Sequence, residues 1–320
     1  MIEFPFGEDA LRFIIENRVE YITSFLQFFT FLGEDEGYIL IITFIYMVYD
    51  KSLAVRLAAI VLATMAINHL LKMVIGNPRP FVKEGTFLQN WLISPDYAQE
   101  LATEFSTPSG HAMSSFSFYA YLYHIFRNLY FRVIIVLVII FIGISRPYLA
   151  VHFIEDIVLG WIMGLAIVAL VIKYSKVIAN LWKKLSLLKQ MSFTIGISFV
   201  SWTVTFYING GDISSQPLPF VGHLGFILGV ILGFNLEQKS LNFNPKSKNV
   251  GIKILRWIIT IVMVMMPLII LEETSNVYWS EPTYLSHTFH YVSYTLSGFL
   301  GMYVAPFLFL KLNLVDYFRE

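Results

Sequence analysis

The sequence predicts an all-α fold, a polytopic membrane helical bundle of about nine transmembrane helices, and three observations carry that prediction. Hydrophobic residues make up 57% of the 320 and charged residues only 14%, with a mean hydropathy of +0.66, far more apolar than a soluble domain. The apolar residues fall in long runs with helical rather than alternating spacing. The basic residues are sorted by side. When the loops between successive spans are divided into two alternating sets, one set, running from Lys51 and Arg56 to Lys311 and Arg319, holds 16 of the 22 Lys and Arg. Such a bias marks the cytoplasmic face, so the N-terminus is expected outside and the C-terminus in the cytoplasm. An even number of spans would break the alternation.

The zero net charge therefore describes sorting across a membrane, not a partner in solution, and nothing in it points to nucleic acid. The absence of cysteine excludes disulfides and thiolate metal ligands. No cleavable leader is expected, because the first residues carry acids where a leader would be basic.

Taken in order, residues 1–34 form an amphipathic segment. Leu11, Phe13, Ile15, Ile22, Phe25 and Phe29 recur beside Arg12, Glu16, Arg18 and Glu20, which predicts one interfacial helix over about 9–31. The acids Glu34, Asp35 and Glu36 suit the positive start of the next helix; contribution to a substrate entrance is the other reading. Residues 35–175 are expected to form a catalytic core with spans near 38–49, 53–75, 111–126, 131–144 and 153–172. Residues 176–320 add spans near 191–208, 220–234, 252–271 and 288–310 within the same membrane domain. The longest linker, 76–109, contains Pro78, Pro80, Pro95 and Pro108; it is expected to fold over the outer face and is a candidate lid.

Three polar clusters interrupt the apolar runs. The first joins Lys72 near a helix end to Arg79, which prolines flank. A planar guanidinium fork and a compact ammonium can share one anion; a snorkelling lysine with an interfacial arginine is the plain alternative. The second is Pro108-Ser109-Gly110-His111, directly before an apolar run. Glycine admits a ligand to the backbone, free N–H groups at a helix start attract anions, and His111 can deliver a proton there. Simple N-capping by Ser109 is the competing reading. The third runs from Ser145 to Asp156, at the entrance of an apolar helix. A spacing of four puts His152 and Asp156 on one face, where the carboxylate can fix the imidazole tautomer. Glu155 points about 100° away and is read as solvated or capping. His69 is read as a hydrogen-bonded helix histidine, and His287 and His290 lack a third metal ligand. Glu272, Glu273 and Glu281 are read as solvated loop acids.

The ordered set Lys-x6-Arg-Pro, Pro-Ser-Gly-His and Ser-Arg-x5-His-x3-Asp resembles the tripartite signature of the type 2 phosphatidic acid phosphatase superfamily, and every position matches between Lys72 and Asp156. The resemblance implies a helical bundle that hydrolyses a phosphomonoester or pyrophosphate through a phosphohistidine, with no cofactor and no metal. It implies that His152 is the nucleophile, that Asp156 orients it, and that His111 protonates the leaving group. Lys72, Arg79, Ser109, Gly110 and Arg146 would bind the phosphate. The expected partners are a lipid phosphate (sphingoid, glycerolipid or polyprenyl) and the bilayer; the oligomeric state is not legible. Rival readings are a sugar-phosphate phosphatase similar to glucose-6-phosphatases, a lipid phosphotransferase, and a non-enzymatic lipid-binding protein on the same scaffold.

Overall fold

In the computed structural model, residues 8–82, 104–208, 210–213, 218–247, 249–279 and 282–315 are described. Every regular element among them is helical. The chain divides into two compact units, residues 1–38 with 63–175 and residues 39–62 with 176–320.

The amphipathic N-terminus is two helices rather than the one predicted, α1 (Glu8–Glu16) and α2 (Glu20–Phe31). Val19 between them is extended. The break has a distant cause: the Tyr148 hydroxyl accepts from Val19 N at 3.0 Å, and Arg18 Nε donates to the Tyr148 carbonyl at 2.8 Å. Leu11 and Ile15 on the buried face of α1 cluster with Ala150 and Phe153. Phe25 and Phe29 on α2 pack on Phe141, and Thr30 Oγ1 donates to Ser145 Oγ at 2.7 Å. The amphipathic face thus docks on protein around the third polar cluster.

Helix α3 (Asp35–Phe44) runs into a π-helical turn (Ile45–Tyr49), followed by α4 (Lys51–Ile75), α5 (Gly110–Ile125), α6 (Leu129–Tyr148) and α7 (Ile154–Lys184). Beyond them lie α8 (Leu187–Ile208), α9 (Leu218–Ser240), α10 (Val250–Tyr278), α11 (Tyr284–Phe299), a second π turn (Leu300–Val304) and α12 (Ala305–Lys311). Seven helical stretches among the described residues are long and apolar enough to cross a membrane, so the chain is a multi-pass integral membrane protein. Of the nine predicted spans, the two outside this set fall on the shortest helical stretches. The stretch 35–49 combines helices of 10 and 5 residues, and α5 has 16. The candidate lid lies for the most part outside the described residues, as does Glu281.

The stretch from Ser145 to Asp156 was expected at the entrance of one helix; it straddles two. Ser145 and Arg146 fall in the last turn of α6, Asp156 in the first turn of α7, and His152 in the connection. Ala150, at φ 62°, turns the chain between them. A left-handed residue is a common way to end a helix, and here the turn brings both ends to one side.

In the first unit α5 and α7 touch through glycines. A Cβ at Gly160 would lie 2.9 Å from the Ser109 carbonyl oxygen and 3.0 Å from Ala112 Cβ, and one at Gly164 would lie 2.7 Å from the Met113 carbonyl. Ser117 Oγ donates to the Gly164 carbonyl at 3.3 Å. In a bilayer, where no hydrophobic gain separates helix contact from lipid contact, such small-residue seams set how closely backbones approach. Gly160→Leu is expected to destabilise the protein by on the order of 3 kcal/mol through overpacking, read as a lowered Tm and loss of the monodisperse peak in detergent.

The second unit repeats the device. Cβ atoms at Gly225 and Gly229 of α9 would lie 2.2 and 2.1 Å from the Tyr291 and Thr295 carbonyl oxygens of α11. Its buried Glu237 is satisfied by Lys51 Nζ at 3.0 Å and Phe243 N at 2.8 Å, as a carboxylate removed from water requires.

Candidate active site

Four helix ends converge in the first unit: the C-termini of α4 and α6 and the N-termini of α5 and α7. Gly76, at φ 66°, ends α4, its N–H donating to the Lys72 carbonyl at 2.8 Å. Only glycine takes this left-handed conformation without strain. The chain then doubles back through Asn77 and Pro78, bringing Arg79 to Lys72. Asn77 fastens the return to the segment before α5, with its Nδ2 donating to Thr107 Oγ1 at 2.9 Å and its carbonyl accepting from Ser106 N at 2.7 Å.

Lys72, Arg79, Ser109, Arg146, His152 and Asp156 are all buried. Glu104 bridges the first two. Its Oε2 accepts from Lys72 Nζ at 2.6 Å and Arg79 Nη2 at 3.2 Å, while Arg79 Nε donates to its carbonyl oxygen. Burial alone would raise the Glu104 carboxyl, but the charges of Lys72 and Arg79 outweigh it and hold the group below the ordinary carboxylate range. The stabilisation from this pair is therefore complete above the ordinary Glu value and is lost as pH falls towards the depressed one.

Arg79 reaches across to the third cluster. Its Nη1 donates to the Val151 carbonyl at 3.2 Å and approaches His152 Nε2 at 3.2 Å. A guanidinium only donates, so Nε2 carries the lone pair and the imidazole proton sits on Nδ1. Nδ1 faces Asp156 Oδ2 at 3.3 Å and Ser106 Oγ at 3.2 Å. Asp156 is itself fixed: Thr107 Oγ1 donates to Oδ1 at 2.5 Å, and Ser106 Oγ and Phe153 N donate to Oδ2 at 2.5 and 2.9 Å. Burial pushes the His152 pKa well below its usual value, and the charges of Arg79, Arg146, Lys72 and His111 add to the effect. The ring is held neutral with its free nitrogen among cations.

Ser109 caps α5, its Oγ accepting from Ala112 N at 3.4 Å, while its own N–H donates to the Asp156 carbonyl at 3.1 Å. That second bond joins the starts of α5 and α7. A Cβ on Gly110 would approach Asn68 Oδ1 at 3.1 Å, and Asn68 Nδ2 holds the Pro108 carbonyl at 3.0 Å. His111 stands in the first turn of α5 with Nε2 4.0 Å from Glu34 Oε1. Arg146 is 1% exposed, and its Nε and Nη1 have no partner among the described residues. Two buried guanidinium donors left unpaired are suited to an anion, since such donors otherwise carry a large desolvation penalty.

Glu104, Ser106 and Thr107 are the members that motif spacing did not single out. Hydroxyls and single acids are common, and their partners lie 25 to 50 residues away in sequence. Glu34, whose second reading is a contribution to the substrate entrance, stands beside His111. His287 and His290 go to separate partners, Trp202 Nε1 and the Ser286 carbonyl. Among the described residues no cluster of three or more His, Cys, Asp or Glu could hold a metal ion.

Over 114 residues the chain is 32% identical to phosphatidylglycerophosphatase B of Bacillus subtilis (strain 168), covering 32% of this chain and 55% of that protein. It thus spans about half the length of this curated relative. Among solved structures, the crystal structure of Aquifex aeolicus LpxE aligns with 22% identity and a TM-score of 0.45, covering 54% of this chain and 100% of the other. The first transmembrane PAP2 type phosphatidylglycerolphosphate phosphatase from Bacillus subtilis aligns with 22% identity and a TM-score of 0.41, covering 52% of this chain and 82% of the other. Residues 53–178 match the PAP2 superfamily and residues 221–317 match the transmembrane extension of PAP2 superfamily phosphatases; the chain belongs to the PAP2 superfamily.

Proposed function

We propose that the protein is an integral-membrane lipid phosphatase that hydrolyses a phosphomonoester or pyrophosphate through a phosphohistidine on His152. One observation carries this reading: the lone pair of His152 Nε2 lies 3.2 Å from Arg79 Nη1, in a buried cluster where Arg146 keeps two unpaired donors. A neutral nucleophile ringed by cations suits phosphoryl transfer, which needs alignment and charge stabilisation more than covalent chemistry from the protein.

The steps balance as follows. The phosphate enters among Lys72, Arg79 and Arg146, with Glu104 giving up its two cations and Arg79 exchanging Nε2 for a phosphate oxygen. Nε2 attacks phosphorus, the bond to the leaving oxygen breaks, and His111 donates a proton to that oxygen. Asp156 accepts from Nδ1–H and stabilises the charge the ring acquires. Water then attacks the phosphohistidine, His111 takes its proton, the P–N bond breaks and inorganic phosphate leaves. Gly110 offers its backbone N–H, and Ser109 its hydroxyl proton, to the same oxygens at the start of α5.

A lipid substrate is favoured because the site lies at helix ends in a chain of membrane spans, where a headgroup sits with its tails in the bilayer. The bias of basic residues towards the opposite loops supports an extracytoplasmic or lumenal site. The relative of Bacillus subtilis makes phosphatidylglycerophosphate the first substrate to try. The test is phosphate release from that lipid, phosphatidic acid, a sphingoid phosphate, undecaprenyl pyrophosphate and glucose 6-phosphate, each with and without chelator. Release from a lipid that persists with chelator is expected. Turnover of the sugar phosphate alone would overturn the substrate class, a strict divalent-metal requirement would overturn the mechanism, and phosphate appearing only on an added lipid acceptor would make the protein a transferase.

Glu104 supplies a separate prediction. Glu104→Gln leaves Lys72 and Arg79 without their counter-charge, a cost on the order of 2 kcal/mol given its 27% exposure. A lower Tm without ligand is expected, restored by orthovanadate, together with vanadate inhibition about tenfold tighter than in the wild type. Unchanged inhibition would remove Glu104 from the phosphate's place.

A further inference from the structure

At the far end of α5 from His111 lies a second feature that the reaction does not use. A cavity of about 630 Å³ opens between α5, α6 and α7, within the first unit. Its walls are apolar, with Phe116, Val136, Ile140 and Leu165 among them, and Val136, Ile140 and Leu165 are themselves exposed. On α7 it extends from Trp161 to Ile172. Eleven residues at about 1.5 Å each give roughly 16 Å, the depth of one leaflet of a hydrocarbon core about 30 Å thick.

The mouth is cationic. Arg127, Arg132 and His124 line it, and no carboxylate lines any part of the cavity. Arg127 is exposed. Arg132 is braced, with Nε donating to the Phe126 carbonyl at 2.9 Å and its guanidinium 4.6 Å above the Tyr123 ring. Those contacts use its Nε and one face, and the two Nη groups complete the planar fork that suits phosphate oxygens. Asn128 caps α6 between the two arginines, accepting from Phe131 N, so their spacing is set by a helix start.

We infer that this groove binds one anionic glycerophospholipid of the leaflet opposite the active site, an acyl chain between α5, α6 and α7 and its phosphate on Arg127 and Arg132. A slot one leaflet deep fits a lipid chain. The headgroup must carry net negative charge, because a zwitterion would bring a cation to a mouth that has two arginines and nothing to balance it. This lipid is a resident ligand, not the substrate, and the inference is independent of the chemistry proposed for His152.

The experiment is native mass spectrometry of the delipidated full-length protein, titrated with equal amounts of phosphatidylglycerol and phosphatidylcholine. Excess inorganic phosphate is kept present to occupy the opposite anion site. One phosphatidylglycerol per chain is expected, preferred about thirtyfold if each arginine acts with the strength of a cation at a membrane surface. Arg127→Gln/Arg132→Gln is expected to erase the preference, and Arg127→Gln alone, at an exposed position, to reduce it to about fivefold. Leu165→Trp, which fills the groove from the lipid-facing side, is expected to lower retention of both lipids. Equal retention of the two lipids by the wild type would overturn the inference. So would a preference that survives the arginine substitutions, or retention unaffected by Leu165→Trp.

Discussion

His152→Ala is expected to lower turnover by about 10⁴-fold or more, the scale of losing a covalent nucleophile, with little change in Tm. The ring is buried, but its only strong demands are on Arg79, Ser106 and Asp156, all of which keep other partners. Phosphate release checks the rate. Rapid acid-free quenching with labelled substrate checks the route, since the wild type should yield a phosphoenzyme labile to acid and the variant none. The pH dependence follows from the lowered His152 pKa. Its free form is the reactive one, so once the rate is corrected for the ionisation of the substrate phosphate, phosphoenzyme formation should hold as pH falls through about 6.5, the ordinary histidine value. A rate that halves at that pH would contradict the cationic surroundings of the ring.

Asp156→Asn is expected to cost about 10³-fold or more in turnover while leaving the helices in place. The carboxylate now accepts from two hydroxyls and one backbone N–H and faces Nδ1 of His152. An amide has one oxygen where the carboxylate has two, so its NH₂ must point at Thr107 or at the group around Ser106 and His152. Either orientation sets a donor against a donor. The hydroxyls can rotate away; the imidazole responds by moving its proton to Nε2, which silences the attacking lone pair. Asp156→Glu keeps the charge but displaces it by one methylene, and is expected to retain more activity than Asn. Measuring kcat and KM separately distinguishes this from lost binding, since KM should change little.

The residues of the three motifs were legible because charge is conspicuous in an apolar chain, and the helical pattern was legible for the same reason. What lay hidden had causes far away in sequence. The break at Val19 comes from Tyr148, the anchoring of Asp156 from Ser106 and Thr107, and the balance of Lys72 from Glu104. Serine, threonine and a single glutamate are too common to announce such partners. Helix α6 runs on to Tyr148, past the expected end near residue 144, and holds Pro147 in its final turn, where the Pro147 carbonyl accepts from Ala150 N. The span count rests on the two shortest stretches, whose lengths fall where an apolar helix serves equally as a span or a buried core element.

Glu104 has one more consequence, for the end of the reaction rather than its beginning. A carboxylate tethered beside two cations is an internal competitor whose effective concentration is set by the chain. It is always at hand when phosphate loosens its hold. In the proposed reaction, inorganic phosphate, with no tail in the bilayer to retain it, would leave a site that refills itself, and the same cations that hold a lipid phosphate need not trap the product.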